Sequence, residues 1–232
     1  MSLAGNLVQI ANDISFAVSK RRKDVVATGT AVKVVAVTKN QEVSAVREVI
    51  DAGAAAIGEN RVQEAVAKLE HLDRQVERHL IGHLQTNKVR QAVPLFDLIH
   101  SVDSESLARE IDRIAGKLGK RQDVLIQVNA ANEDSKYGIE ASALPGLAQK
   151  ITQLEHVRLC GLMTIAPFFV NPEDARPVFR AMYELFTQLK AMALPGSLIE
   201  QLSMGMTNDY SVAVEEGANL VRIGTAIFGP RH

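Results

Sequence analysis

The stretch VKVVAVTKN, residues 32 to 40, decides the fold of this chain. It is a short apolar run, rich in β-branched valine, that ends on Lys39 and Asn40. A strand of a parallel sheet is apolar along its whole length when helices cover both faces of the sheet. The stretch therefore predicts a buried parallel strand that delivers Lys39 to its carboxyl end.

A lysine at that position has three physical outcomes. Its side chain can extend to solvent, pair with an anion, or lose its proton, because burial disfavours the ammonium form. A neutral lysine amine attacks carbonyl groups and forms Schiff bases. Taken alone, the segment favours the solvent-exposed lysine. Any functional role of Lys39 therefore has to be inferred from the rest of the chain.

The composition predicts one cytoplasmic domain. With 232 residues, of which 47% are hydrophobic and 23% charged, residues 1 to 232 can bury one substantial core. The net charge of −1, without a long basic run, argues against nucleic acid or a membrane as partner. The sequence shows neither a membrane-spanning run nor the apolar core of a signal peptide. Cys160 is the single cysteine, so we expect a buried thiol rather than a disulfide or a zinc site.

Apolar strand candidates alternate with helical stretches along the chain. Together with the Lys39 strand there are eight, the others being 54–57, 78–81, 97–101, 123–128, 157–163, 199–202 and 219–223. Eight such units predict a TIM barrel, a closed (β/α)8 fold of the α/β class. An open doubly wound sheet fits less well, because TKNQEV after the first strand contains no glycine. Apolar residues three and four apart in residues 3–19 predict a leading helix that fills the outer ring beside the short carboxyl terminus.

In such a barrel the chemistry lies just past the carboxyl ends of the strands. Besides Lys39, this places Asn60 after strand two and His83 after strand three. Asn60 is either the N-cap of a helix over 61–70 or a ligand contact. An isolated histidine such as His83 is more often structural than functional.

The strongest local indication of a binding site lies just after the last two strands. Strand seven is followed by SMGMTND, which contains Ser203 and Gly205, and strand eight by Gly224 and Thr225, with Arg222 pointing inward. Small residues let backbone N–H groups approach an anion closely, and these loops form the phosphate site of many TIM barrels. The two loops together favour phosphate binding over glycines that merely make turns.

A phosphate site opposite a strand-one lysine is the layout needed to hold pyridoxal 5′-phosphate. The motifs AVTKN, IGENRVQE, HLIGHLQTNK, EDSKYGI, GLMTI, LSMGMTNDY and VRIGTAIFG resemble the YggS/PROSC family of pyridoxal-phosphate-binding homeostasis proteins, in order and over nearly the whole chain. The resemblance implies a barrel like the N-terminal domain of alanine racemase, with Lys39 as the Schiff-base lysine. The sequence departs from the family pattern mainly at TKN, where many members have SKT.

The resemblance also implies roles for the other candidates. Ser203, Gly224 and Thr225 would surround the phosphate, Arg222 would meet the pyridine nitrogen, and Asn60 would lie beside the ring. An arginine gives that nitrogen no proton, so the ring is a poor electron sink. The family function implied is cofactor homeostasis, as a carrier or buffer that is more a binding protein than an enzyme.

Two other functions stay open at this point. A weak amino-acid racemase would need a second acid/base opposite Lys39, for which Tyr137 and Tyr210 are the candidates, since we expect no further domain after His232. A cofactor-free Schiff-base aldolase could use the same lysine and phosphate loops. The expected partners are the cofactor and, as further candidates, amino acids or apoenzymes, and the expected state is a monomer.

Overall fold

The computed structural model, which describes residues 2–131 and 137–230, is a closed barrel of eight parallel strands. The strands are β1 Lys33–Val37, β2 Ala56–Glu59, β3 Glu77–Leu80, β4 Leu98–Val102, β5 Gln122–Gln127, β6 Val157–Met163, β7 Gln201–Met206 and β8 Leu220–Ile223. They pair in chain order, and β1 closes on β8 with Val35 opposite Arg222. The predicted barrel is confirmed, and its closure brings the Lys39 strand beside the Arg222 strand.

Helices follow the strands and form the outer ring. They are α1 Leu3–Ser19, α2 Val43–Asp51, α3 Val62–Leu69, α4 Val89–Ala92, α5 Glu105–Lys117, α6 Leu144–Ile151, α7 Arg176–Ala191, α8 Tyr210–Glu215 and α9 Thr225–Phe228. The predicted leading helix is confirmed as α1, whose Ser2 hydroxyl caps the amide of Gly5 at 3.2 Å. It packs against α2, α8 and α9, and therefore fills the ring beside the short last helix as expected.

Two apolar layers hold the barrel together. The larger core lies between strands and helices, with Leu80, Ile111 and Phe186 among its fully buried members. A smaller cluster that includes Val35 and Leu125 occupies the opposite faces of the strands, inside the barrel. Successive side chains of a strand point to opposite faces, so each strand contributes to both layers.

Most strand boundaries differ from the sequence prediction by one or more residues, and two of the differences bear on the site. Strand seven was predicted over 199–202, but it continues through Ser203 to Met206, with a bulge where Gly205 adopts a φ of +91°. Strand two was predicted over 54–57 but runs over Ala56–Glu59. In both places small or polar residues that are typical of turns are buried strand residues, so the barrel interior is more polar than the prediction assumed.

Cys160 lies on β6 and is buried, as predicted from its apolar neighbours. Burial, which disfavours the thiolate, raises the pKa of its thiol to about 12. No helix within the described parts of the chain is both long enough and apolar enough to cross a lipid bilayer.

Replacing Gly161 by alanine is expected to destabilise the protein by about 2 kcal/mol or more. Gly161 has a φ of +150°, and a Cβ there would lie 1.8 Å from the carbonyl oxygen of Gln201. Urea unfolding measures the change in the free energy of unfolding. Gly146→Ala in α6 is the matched control, because a Cβ there meets nothing within 4 Å and the helix gains about 0.5–1 kcal/mol. Equal effects of the two substitutions would contradict this account of the β6–β7 contact.

Candidate functional site at the carboxyl end of the barrel

A cavity of about 420 Å³ opens where β1, β7 and β8 end. Four of the predicted site residues line it: Lys39, Arg222, Gly224 and Thr225. The parallel strands place these residues together, because their carboxyl ends share one rim of the barrel. The cavity therefore combines a primary amine, a guanidinium and a turn of small residues.

Lys39 follows β1 at a point where the backbone is fixed on both sides. Before it, the amide of Thr38 donates to the carbonyl of Gly58 at 3.0 Å, which continues the pairing of β1 with β2. After it, Asn40 adopts a φ of +60°, a left-handed conformation that asparagine tolerates better than most residues. The amide of Asn40 donates to the carboxylate of Glu64. The turn therefore starts immediately after Lys39, whose side chain is half-buried in the cavity wall.

A buried lysine, Lys68 on α3, fixes the backbone around Lys39. Its ammonium donates to the carbonyl of Thr38 at 2.6 Å and to the carboxylates of Glu59 at 2.8 Å and Glu64 at 3.0 Å. The hydroxyl of Thr38 also donates to Glu59, at 2.6 Å. We call Thr38, Glu59, Glu64 and Lys68 the Lys68 cluster. It holds the residue before Lys39 directly and the residue after it through Glu64.

Burial makes the Lys68 cluster energetically sensitive. Both Lys68 and Glu59 are more than nine-tenths buried, and burial raises the pKa of the Glu59 carboxyl against the opposing effect of hydrogen bonds from Lys68 and Thr38. The second oxygen of Glu59, Oε2, is buried and has no hydrogen-bond partner among the described residues. A buried ion pair offsets the cost of desolvation only while both partners are present.

Arg222 reaches the cavity from inside the barrel. Its guanidinium donates to the hydroxyl of Ser203 at 2.6 Å and to the carbonyl of Thr164 at 2.7 Å. Burial lowers its pKa to about 10, an effect that the negative charge of Asp209 opposes. The guanidinium therefore stays protonated at neutral pH and has only hydrogen bonds to donate.

Asp209 is a site residue that sequence analysis missed. It is buried at the start of α8, and its carboxylate accepts the amide of Met206 at 2.6 Å. The strand β8 itself carries no acid beside Arg222; Asp209 comes from the loop that follows β7. Burial raises the pKa of the Asp209 carboxyl, and the charge of Arg222 opposes that rise.

The glycines of the two predicted phosphate loops have different environments. At Gly224 a Cβ would meet its nearest atom, in Val37, at 3.4 Å, so the residue borders open space in the cavity. At Gly205 a Cβ would lie 2.6 Å from that of Ala213, so this glycine permits close packing on α8. Ser203 lies on β7 with its side chain buried inside the barrel. A phosphate contact of Ser203 or Gly205 stays a prediction.

Asn60 and His83 border a neighbouring cavity of about 590 Å³ rather than the one lined by Lys39. The side-chain oxygen of Asn60 is buried and has no hydrogen-bond partner in the described parts of the chain. Asn60 is not the N-cap of α3, because Arg61 occupies that position and makes no side-chain cap. The ring of His83 stacks on Tyr137 at a centroid distance of 3.8 Å and lies 3.7 Å from the carboxylate of Asp103.

Neither candidate tyrosine is placed as a second acid/base of the Lys39 cavity. The hydroxyl of Tyr210 donates to Asp13 of α1 at 2.7 Å, on the outside of the barrel. Tyr137 is mostly exposed and lines the neighbouring cavity. Lys136, which precedes Tyr137 in the polar stretch after strand five, lies outside the described residues.

Comparisons with known proteins agree with this geometry. Residues 18–232 match the family model described as alanine racemase, N-terminal domain. The pyridoxal phosphate homeostasis protein of Aquifex aeolicus is 45% identical over 86% of this chain and 87% of its own length. The protein of the same name from Pasteurella multocida is 38% identical over 100% of this chain and 98% of its own. A structure of PipY from Synechococcus elongatus with PLP bound superposes with a TM-score of 0.78 at 37% identity, over 93% of this chain and 100% of that one.

Replacing Lys68 by methionine is expected to destabilise the protein by about 3–5 kcal/mol at pH 7, because Glu59 is left buried without its cation. The loss relative to wild type should shrink at pH 5. Burial raises the pKa of Glu59, so the folded variant takes up a proton there that the unfolded chain binds less readily. Urea unfolding at both pH values measures the difference.

The double variant Lys68→Met, Glu59→Gln is the control for this prediction. Neutralising both partners removes the unpaired charge, so part of the lost stability should return. A loss that is the same at both pH values and in the double variant would show that the charge of Glu59 does not matter.

Proposed function

Because this chain belongs to the pyridoxal phosphate homeostasis proteins of the alanine racemase N-terminal domain family, we propose that it binds pyridoxal 5′-phosphate and carries it as an imine on Lys39. The observation that carries the proposal is the single cavity that Lys39, Arg222, Gly224 and Thr225 share. A free aldehyde cofactor modifies amines indiscriminately. A reversible imine in a barrel mouth would sequester the cofactor and still allow its release, which is the role of a carrier or buffer.

The residues present fit the chemical groups of this cofactor. When bound, it supplies an aldehyde for the imine and a pyridine ring that can accept electrons. The amine of Lys39 is the nucleophile for the aldehyde, and the turn at Gly224 and Thr225 leaves room for a phosphate. Asn60 borders the neighbouring cavity, and its buried side-chain oxygen, which has no partner among the described residues, supports a contact beside the ring.

Arg222 supports binding without efficient catalysis. Its guanidinium is a fixed cation, further favoured by Asp209, and would donate to the pyridine nitrogen without protonating it. An unprotonated ring is a poor electron sink. Racemisation also needs a second acid/base, and Tyr210 is committed to Asp13 on the outside of the barrel. The carrier is therefore favoured over a weak racemase and over the cofactor-free aldolase. Cytoplasmic location, a monomeric state and exchange with apoenzymes or amino acids stay predictions.

Lys39→Ala is expected to abolish the visible absorption of the imine in protein incubated with pyridoxal phosphate, because no other amine lines the cavity among the described residues. Absorption spectra before and after borohydride reduction measure the bond, and reduction should bleach the wild type. Lys88→Ala, which alters the neighbouring cavity, is the control and should keep the spectrum. A wild type that never becomes yellow would favour the aldolase.

Gly224→Val is expected to weaken binding of pyridoxal phosphate by about 1–3 kcal/mol, since the added side chain obstructs backbone hydrogen bonds to the phosphate. Equilibrium dialysis measures the affinity. Pyridoxal, which lacks the phosphate, is the matched ligand and should lose much less. Equal losses for the two ligands would show that this turn does not bind the phosphate.

With L-alanine the loaded protein is expected to show little exchange of the α-proton. A missing general acid/base typically costs about 10² to 10⁴ in rate, and neither candidate tyrosine is among the described residues that line the Lys39 cavity. Proton NMR in deuterated water follows the exchange, with an alanine racemase as positive control. Racemisation at about 1 to 10³ per second would contradict the carrier and establish the racemase.

A further inference from the structure

A chain of hydrogen bonds runs through the barrel from Arg222 to the opposite end. The guanidinium of Arg222 contacts Ser203 Oγ at 2.6 Å, and Ser203 Oγ lies 3.0 Å from Nδ1 of His100. Nε2 of His100 lies 3.0 Å from Nδ1 of His79, and Nε2 of His79 lies 2.8 Å from the carboxylate of Glu77. We call these five residues the interior polar chain. It links the cavity wall at β8 to the amino-terminal end of β3.

The middle of the interior polar chain has no access to water. His79, His100 and Ser203 are each 0% exposed. Polar groups buried to this degree are costly unless they are hydrogen-bonded, and here each ring nitrogen has one partner within the chain. The proposed function assigns no role to either histidine.

The two ends of the chain fix the direction of its hydrogen bonds. Arg222 can only donate, so Ser203 accepts from it. Glu77 can only accept, since the hydrogen bond from His79, followed by that from Lys33, lowers the pKa of its carboxyl to about 2 despite partial burial. Nε2 of His79 therefore carries a hydrogen.

One arrangement of hydrogens then satisfies every group between the ends. Ser203 donates its hydroxyl hydrogen to Nδ1 of His100, and Nε2 of His100 donates to Nδ1 of His79. Both imidazoles are neutral and carry their hydrogen on Nε2. Burial lowers the pKa of His100 well below its usual value, which agrees with a neutral ring. An extra proton on His79 would reverse the central bonds and leave the Ser203 hydrogen without an acceptor in the chain.

We propose that His100 and His79 are positioning residues for Arg222. Nδ1 of His100 accepts a hydrogen bond from the hydroxyl of Ser203, which orients a lone pair of Ser203 toward the guanidinium. His79 accepts from Nε2 of His100 and so keeps His100 in the tautomer whose Nδ1 can accept. The guanidinium is thus fixed at the cavity wall, where it would meet the pyridine nitrogen. This inference rests on the proposed function, because it concerns how Arg222 recognises the cofactor.

The ligand-free protein tests the direction of the chain. Long-range ¹H–¹⁵N NMR spectra of histidine rings report which nitrogen carries the hydrogen. At neutral pH, His79 and His100 should both show a neutral ring with the hydrogen on Nε2, and spectra of His79→Gln and His100→Gln assign the signals. A His100 ring with its hydrogen on Nδ1, or a doubly protonated His79, would overturn the proposed arrangement.

Binding tests the consequence for Arg222. The probes are pyridoxal phosphate and its 1-deaza analogue, in which carbon replaces the ring nitrogen, each measured by equilibrium dialysis. The wild type should prefer the natural cofactor by about tenfold or more, as expected for a hydrogen bond from a charged donor. His100→Leu should lose most of this preference. His100→Gln, which can still accept from Ser203, should keep more of it, and the exposed His71→Leu should keep all of it.

The outcomes separate the inference from its premise. A wild type without preference would contradict the role of Arg222 in the proposed function. A wild-type preference that persists in His100→Leu, or an equal loss for both probes, would overturn the positioning role alone, since a purely structural histidine does not distinguish the ring atoms. Should His100→Leu fail to fold, Ser203→Ala provides the same comparison, because it removes the acceptor of Arg222 and predicts the same selective loss.

Discussion

The burial of one guanidinium inside a closed barrel constrains the rest of this structure. A cation removed from water is costly unless hydrogen bonds and opposite charge surround it. Arg222 receives both: Ser203 and the carbonyl of Thr164 accept its hydrogen bonds, and Asp209 supplies negative charge. Ser203 lies on β7, a bulged strand, and Arg222 lines the cavity at the carboxyl end of the barrel.

The two chemically important ends of the cavity are held by separate buried networks. On the β1 side, the Lys68 cluster fixes the backbone on either side of Lys39. On the β8 side, the interior polar chain fixes Arg222 through Ser203. Each network is rigid, because leaving a buried polar group without its partner costs more free energy than the hydrogen bond contributes to stability. A preorganised amine and a preorganised guanidinium suit a protein that binds one cofactor in one orientation.

Much of the fold and part of the site could be predicted from the sequence. The physical reasons for this success also explain which residues could not be predicted. The barrel, α1 and the position of Lys39 follow from apolar periodicity, because burial against helices dictates residue type over several consecutive positions. Lys68, Asp209 and His79 carry no such pattern. Their partners lie on other elements, so only the closed barrel reveals why these polar residues are buried. Ser203 and Gly205 are residue types that are typical of turns, and the contacts that bury them also come from other elements. The sequence prediction therefore ended β7 too early.

The central claim is that one lysine, at the end of β1, holds the cofactor. The most direct measurement is peptide mass mapping of protein that has been loaded with pyridoxal phosphate and reduced with borohydride, which makes the imine permanent. We expect one pyridoxyl group per chain, on the peptide that contains Lys39. A pyridoxyl group found mainly on Lys136, on Lys88 or spread over several surface lysines would contradict it.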